Sequence, residues 1–305
     1  MSSARHTPGG HRRVDTHRGG RLGCGAHVQR QPGPGEIISG QTLIAKTTGD
    51  TIAETVVEPV AMVAATIGEG AVMSGNGGRN TPGSRAKVVA MLRAELLKAQ
   101  DYAEKWAAAE DDDEKERPAR NLKMEVLTDV VSGDRPLLVT ANRHNDIMTA
   151  LRIAEEFGVN VVLDGASEAY LLLDEIKAAG VPVIIHPAMA RASGERENLA
   201  FTTPAKLMAA GIPTAYQSGY EGYVPKTRIV LYEAAVTLAH GVSFEQALGA
   251  ITIEAAKILG IDDRVGSIEV GKDGDLALYD GDPFEYTSHA IGTIIDGVRV
   301  SDTIR

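Results

Sequence analysis

Pro136-Leu-Leu-Val-Thr-Ala-Asn-Arg-His-Asn-Asp-Ile147 is the stretch from which the fold can be read. Leu137, Leu138 and Val139 form a short continuous apolar run, the pattern of a strand buried on both faces. The run stops at Thr140, Asn142, Arg143 and His144, and from Asp146 to Phe157 the apolar spacing is helical. A buried strand that ends in polar side chains and passes into a helix is a β/α unit. The carboxyl ends of such strands are where α/β proteins keep their chemistry.

The same grammar repeats downstream. Val159–Leu163 reads as a strand and Ser167–Ala179 as a helix; Val181–His186 and Thr203–Ala210 repeat the pair, as do Ile212–Gln217 and Thr227–His240. Gly158, Gly180, Gly211 and Gly241 close the helices, where a left-handed residue satisfies the last carbonyls. Unalternating β-branched strands, each followed by a helix, indicate a parallel sheet. Strand starts 22 to 31 residues apart suit a barrel of β/α units.

Upstream, Met1 to about Gly25 is rich in Gly, Arg and His and reads as a disordered tail. His6, His11, His17 and His27 fall in or beside it, but their spacing matches no standard ligand pattern. Gln31-Pro-Gly-Pro-Gly-Glu36 is a turn-rich loop without the Lys-Ser/Thr pair of a phosphate-binding loop, and Ile37–Lys46 reads as a strand with its turn. Gly68–Gly83 reads as a long loop of the lid type, and Ser84–Ala109 as a helix with Val88, Met91, Leu92 and Leu96 on one face. The acidic run Glu110–Glu114 reads as a solvated turn.

Past Gly241 the pattern changes. Ser243-Phe-Glu-Gln246 is a capping box, and Thr252 is placed to cap a further helix ending at Gly260. Ser267–Val270, the turn Gly271–Gly274 and Asp275–Tyr279 then read as an antiparallel hairpin, with more strand around the turn at Asp296-Gly297. The expected organisation is a tail over 1–25, a β/α barrel over 26–262 and a small β unit over 263–305.

The totals narrow the function classes. A chain of 305 residues with 43% apolar and 24% charged residues is ordinary for a soluble globular protein. The net charge of -10 argues against nucleic acid, which needs clustered Lys and Arg. One cysteine, Cys24, excludes an internal disulfide framework. No apolar run approaches the roughly 20 residues of a membrane span, and no signal-peptide pattern opens the chain. The expectation is a cytoplasmic protein with a small-molecule partner, no nucleic acid or membrane, and room for a homo-oligomer.

Ala247-Leu-Gly-Ala-Ile-Thr-Ile-Glu-Ala-Ala-Lys-Ile-Leu-Gly260, continuing through Val265-Gly-Ser-Ile-Glu-Val-Gly-Lys-Asp-Gly-Asp-Leu-Ala-Leu-Tyr-Asp-Gly-Asp-Pro283, resembles the C-terminal signature of the amidohydrolase superfamily. Imidazolonepropionase- and prolidase-like hydrolases are the nearest branch, and the likeness extends upstream through Pro136–Ile147 and Leu151–Gly158. The resemblance implies a (β/α)8 barrel with a small β-sandwich built from both ends of the chain. It also implies hydrolysis of amide or cyclic amide C–N bonds, with one or two divalent metals (Zn, Fe or Mn) activating a water.

The ligands that the family would supply are a His-x-His pair, two further histidines and an aspartate. Carried over residue by residue, the fifth-strand histidine falls on Thr140, a second on Asn142, the sixth-strand histidine on Gly165 and the eighth-strand aspartate on Gly219. No His-x-His occurs in the chain. Glycine carries no ligand atom and Thr is a poor ligand, so these positions give no metal set.

Other polar groups converge on the expected barrel mouth. Asp164, His186 and Glu221 are candidates for acid–base chemistry or a displaced metal site. Arg143, His144, Gln217, Ser218 and Tyr223 are candidates for holding a substrate, and Arg143 or Arg191 suits a carboxylate. The plainer alternative has His186 hydrogen-bonded within the rim and Asp164 capping the next helix. Three readings follow: a hydrolase with an altered or absent metal, a non-catalytic relative that binds a small ligand, or an incomplete gene product. The last predicts an exposed sheet edge and poor solubility.

Overall fold

The computed structural model of the chain describes residues 21–24, 27–30, 36–72, 82–112, 116–186, 191–219 and 229–301. Its strands are β1 (Arg21–Cys24), β2 (His27–Arg30), β3 (Ile38–Gln41), β4 (Leu43–Lys46), β5 (Val56–Glu58), β6 (Val63–Thr66), β7 (Leu137–Ala141), β8 (Val161–Gly165), β9 (Val183–Ile185), β10 (Thr214–Tyr216), β11 (Leu276–Tyr279), β12 (Ala290–Ile295) and β13 (Val298–Ser301). The helices are α1 (Ile52–Thr55), α2 (Glu69–Val72), α3 (Arg85–Asp111), α4 (Leu122–Val131), α5 (His144–Phe157), α6 (Leu173–Ala179), α7 (Thr203–Ala209), α8 (Val230–Leu238), α9 (Phe244–Ala250) and α10 (Ile253–Leu259).

The central sheet runs β10-β9-β8-β7-β6-β3. β6 to β10 are parallel and β3 lies antiparallel against β6, so the α/β class and parallel sheet expected from the repeats are present. Among the described residues β3 and β10 are its two edges. The strand expected over Ile37–Lys46 divides at Thr42 between two sheets: β3 joins the central one, while β4 joins the antiparallel sheet β1-β2-β4-β5. Arg21–Cys24, inside the expected tail, pairs with His27–Arg30.

Alternation along the parallel strands sorts the core into two layers. Leu137, Val139, Val161, Leu163, Val183, Ile185 and Tyr216 pack with helix residues such as Leu92, Leu127, Ile147, Ile176 and Leu207. Leu138, Val162, Ile184 and Ala215 point to the opposite face, against Ile44, Met62 and the α10 residues Ala255, Ala256 and Leu259. This second face continues, two residues further along each strand, into Thr140, Asp164, His186 and Gln217. One layer of the sheet therefore positions the polar candidates.

The capping box forms as expected: Ser243 Oγ accepts from Gln246 N and the Gln246 side chain accepts from Ser243 N. We expect Ser243→Ala to lower stability by about 1 kcal/mol, read as a shift in denaturant midpoint without a change in slope. Thr252 does not cap α10 with its side chain; its hydroxyl bonds back to Leu248 O at 2.6 Å.

The C-terminal hairpin differs from expectation. Residues 267–270 are not a strand, and β11 pairs instead with β12, which turns at Asp296-Gly297 into β13. The 267–274 segment folds back on itself through Lys272 N to Glu269 O and Asp273 N to Arg264 O, leaving Ile268 and Val270 in solvent. That turn carries Asp273 and Asp275 to the buried Lys46 of β4: Nζ lies 2.9 Å from Asp273 and 3.5 Å from Asp275, and also pairs with Asp296. Lys46 thus pins the C-terminal β unit to the N-terminal sheet.

Candidate site at the carboxyl end of the parallel sheet

Thr66, Thr140 and Asp164 lie side by side in register at the ends of β6, β7 and β8. Asp164 is buried, and a buried carboxylate needs its oxygens satisfied. Thr140 Oγ1 donates to Asp164 Oδ2 at 2.7 Å, and Gln217 Nε2 donates to Oδ1 in a short hydrogen bond. Asp164 therefore belongs to the strand-end network and does not cap the following helix. Beyond it the chain turns sharply through Gly165 (φ 82°) and Ala166 (φ 44°). Ala166 N to Ala141 O and Glu168 N to Asn142 O, at 3.0 and 2.9 Å, hold the turn against the end of β7.

His186, buried at the end of β9, places Nδ1 2.7 Å from Glu233 Oε1 on α8, a close pair whose geometry is off the line of a hydrogen bond. Glu233 is fully buried. The Nε2 edge of the imidazole meets Gly219: a Cβ there would come within 2.2 Å of Nε2. Gly219 has φ 67°, a left-handed backbone that also favours glycine. Gly165 shows the same relation to Asn142, whose Oδ1 would be 2.8 Å from an added Cβ and accepts from Ser167 Oγ at 2.9 Å. Tyr216 beneath the site bonds Thr237 Oγ1 at 2.7 Å, and burial pushes its hydroxyl up to about 12.

A second cluster forms the rim. Arg143, the N-cap of α5, gives no side-chain cap. Glu168 supplies one from the neighbouring unit, accepting from His144 N at 2.7 Å and standing 2.7 Å from His144 Nδ1. Burial pushes the Glu168 carboxyl up, but hydrogen bonds from Asn198 and His144 outweigh it and hold the group below the usual range. Arg143 pairs with Glu197 at 3.0 Å. Arg85 spans Asp146 at 3.2 Å and Glu195 at 2.8 Å. Burial raises the Asp146 carboxyl despite Arg85. Glu195 Oε1 also accepts from Glu69 N at 2.5 Å and lies where a Cβ on Gly68 would be, so it ties the loop after β6 to the rim.

The structure thus brings Thr140, Asp164 and Gln217 into one bonded group and sets His186 against Gly219. Ser218 is buried between Gln217 and Gly219. Arg143 and His144 belong to the rim and are engaged there by acidic partners. Glu221, Tyr223 and the tip of the expected lid lie outside the described residues. Sequence reasoning missed Glu233, Glu168 and Glu195. For Glu233 a signal existed, since it is the one charged residue in the apolar run Val230-Leu-Tyr-Glu-Ala-Ala-Val236.

The described residues at the positions where the resemblance implies ligands do not make a divalent-metal set. Thr140 offers a neutral hydroxyl already engaged with Asp164, and Gly165 and Gly219 offer nothing. Among the described residues no three His, Cys, Asp or Glu side chains are grouped to hold an ion, and no helix is long and apolar enough to cross a membrane.

Residues 165–301 match the amidohydrolase family model. The imidazolonepropionase of Porphyromonas gingivalis is 34% identical over 88 residues, covering 28% of this chain and 21% of that protein. The one from Syntrophobacter fumaroxidans is 33% identical over 116 residues, 37% of this chain and 26% of its own length. The chain thus matches about a quarter or less of these curated relatives. An amidohydrolase structure from Thermotoga maritima MSB8 superposes with a TM-score of 0.85 at 32% identity, covering 91% of this chain and 72% of that one.

Proposed function

The chain belongs to the amidohydrolase family, and on that premise we propose a small-molecule site on the carboxyl-terminal face of its parallel sheet. The ligand class is a compound with an amide or cyclic amide C–N bond, including imidazolones of the kind named for the relatives, and hydrolysis of that bond is the reaction class. The β/α units form the wall of a TIM-type barrel in this reading, and the two antiparallel sheets form the composite β-sandwich. The observation that carries it is the convergence of Thr140, Asp164, His186 and Gln217 on one layer at the strand ends.

The chain's own groups do the work. His186, backed by Glu233, takes or gives a proton at the scissile C–N bond, with Glu221 a further candidate. Asp164, held by Thr140 and Gln217, accepts from a ligand N–H, and Ser218 and Tyr223 orient the ligand. Arg143 and His144 meet its polar end at the rim. Thermal shift against a panel of N-acyl amino acids and lactams tests the site: a matching compound raises the melting temperature, and His186→Ala abolishes that rise.

A second reading, a relative that binds without turnover, is favoured by Thr140, Gly165 and Gly219, which stand where the family resemblance implies metal ligands. Stabilisation by a panel member without any product separates it from hydrolysis.

A further inference from the structure

Gly165 and Gly219, the two glycines at the mouth, are not vacancies. Each has a left-handed backbone, and each has a polar side chain of a neighbouring segment where its own would be. The imidazole of His186 passes within 2.2, 2.5 and 2.9 Å of an ideal Cβ on Gly219, through Nε2, Cδ2 and Cε1. This ring cannot easily withdraw. It is buried, and its Nδ1 is against Glu233 on the far side. At Gly165 the intruding atom is Asn142 Oδ1, fixed by Ser167.

We infer that the mouth is rebuilt as a metal-independent site, in which His186 and Asn142 occupy the side-chain volumes of two positions where the family resemblance implies metal ligands. Returning a ligand to either position then requires expelling a built polar group as well as straining the backbone. What remains for a ligand is a set of hydrogen-bonding side chains around the Asp164 carboxylate, suited to an amide N–H. The inference deepens the proposed site but does not depend on turnover, and its test reads stability and metal content instead.

A double-mutant cycle of Gly219→Ala and His186→Ala, followed by thermal melting, tests the occupancy. In the wild-type background Gly219→Ala should lower the melting temperature by roughly 5 °C or more. In the His186→Ala background the further drop should be less than about half of that, because backbone strain alone remains. Equal drops in the two backgrounds would overturn the inference. Should Gly219→Ala alone not accumulate as folded protein, recovery of folded protein in the double variant supports it and continued failure overturns it. In parallel, the wild-type chain is incubated with excess Zn²⁺ or Mn²⁺, desalted and analysed for metal. Substoichiometric metal with an unchanged melting temperature is expected, and one tightly held ion per chain that raises it would overturn the proposal.

Discussion

Lys46→Met should be among the most damaging single substitutions in the chain, lowering stability by about 3–5 kcal/mol. The lysine side chain is 6% exposed and faces three carboxylates; Asp275, 5% exposed, is as deeply placed. Removing the ammonium that all three share takes a cationic partner from a buried carboxylate, which costs more than the intact pair contributes. Arg264, 2.8 Å from Asp273, reaches only the outer edge of the cluster. The C-terminal β unit should loosen first, so backbone amides of β11 and β12 should exchange faster while those of β7 and β8 change little. Acid should act in the same direction. Burial raises the Asp273 carboxyl, but Lys46 and Arg264 outweigh it and its value lies below the ordinary one. Its contribution is therefore complete above the unfolded value of about 3.9 and is lost as the pH falls from there through the folded value. Uniform amide exchange across both regions in Lys46→Met would refute this assignment of the clamp.

The second large effect is expected at Asp164. Asp164→Ala strands the buried Gln217 amide and removes the partner of the half-buried Thr140 hydroxyl, at a cost of about 2–4 kcal/mol. Asp164→Asn is the informative companion. Its amide oxygen still accepts from Gln217 and its nitrogen can donate to the Thr140 hydroxyl, so the fold should lose about 1 kcal/mol or less. Ligand stabilisation should nevertheless disappear in Asp164→Asn, because a ligand N–H loses its anionic acceptor. Retained ligand stabilisation in Asp164→Asn would assign the carboxylate to architecture alone.

The β/α repeats were legible because their determinants are local. Leu137-Leu138-Val139 can be satisfied only inside a sheet, and Gly158 and Gly180 adopt the left-handed caps their positions predict. The site was half legible. Asp164, His186 and Gln217 fall at strand ends that periodicity locates, but what each one bonds does not follow from periodicity. Gln217 reaches Asp164 across 53 residues, and Gly219 is defined by a histidine on the adjacent strand. Glu168 caps a helix that begins before it in the chain, a role invisible to any reading of its neighbours. The hairpin expectation over 267–279 failed for a related reason. Gly271–Gly274 is a strong turn signal, yet Asp273 and Asp275 are drawn to Lys46, and β11 finds its partner beyond the Asp280–His289 loop.

The carboxyl-terminal face should bind an amide-class ligand through the chain's own side chains. The most direct test is calorimetric titration of a panel compound that raises the melting temperature, carried out with a strong divalent chelator present throughout. Saturable one-to-one binding in chelator, lost in His186→Ala, is the predicted result. Binding that vanishes with chelator and returns on adding zinc or manganese would instead make the site metal-dependent.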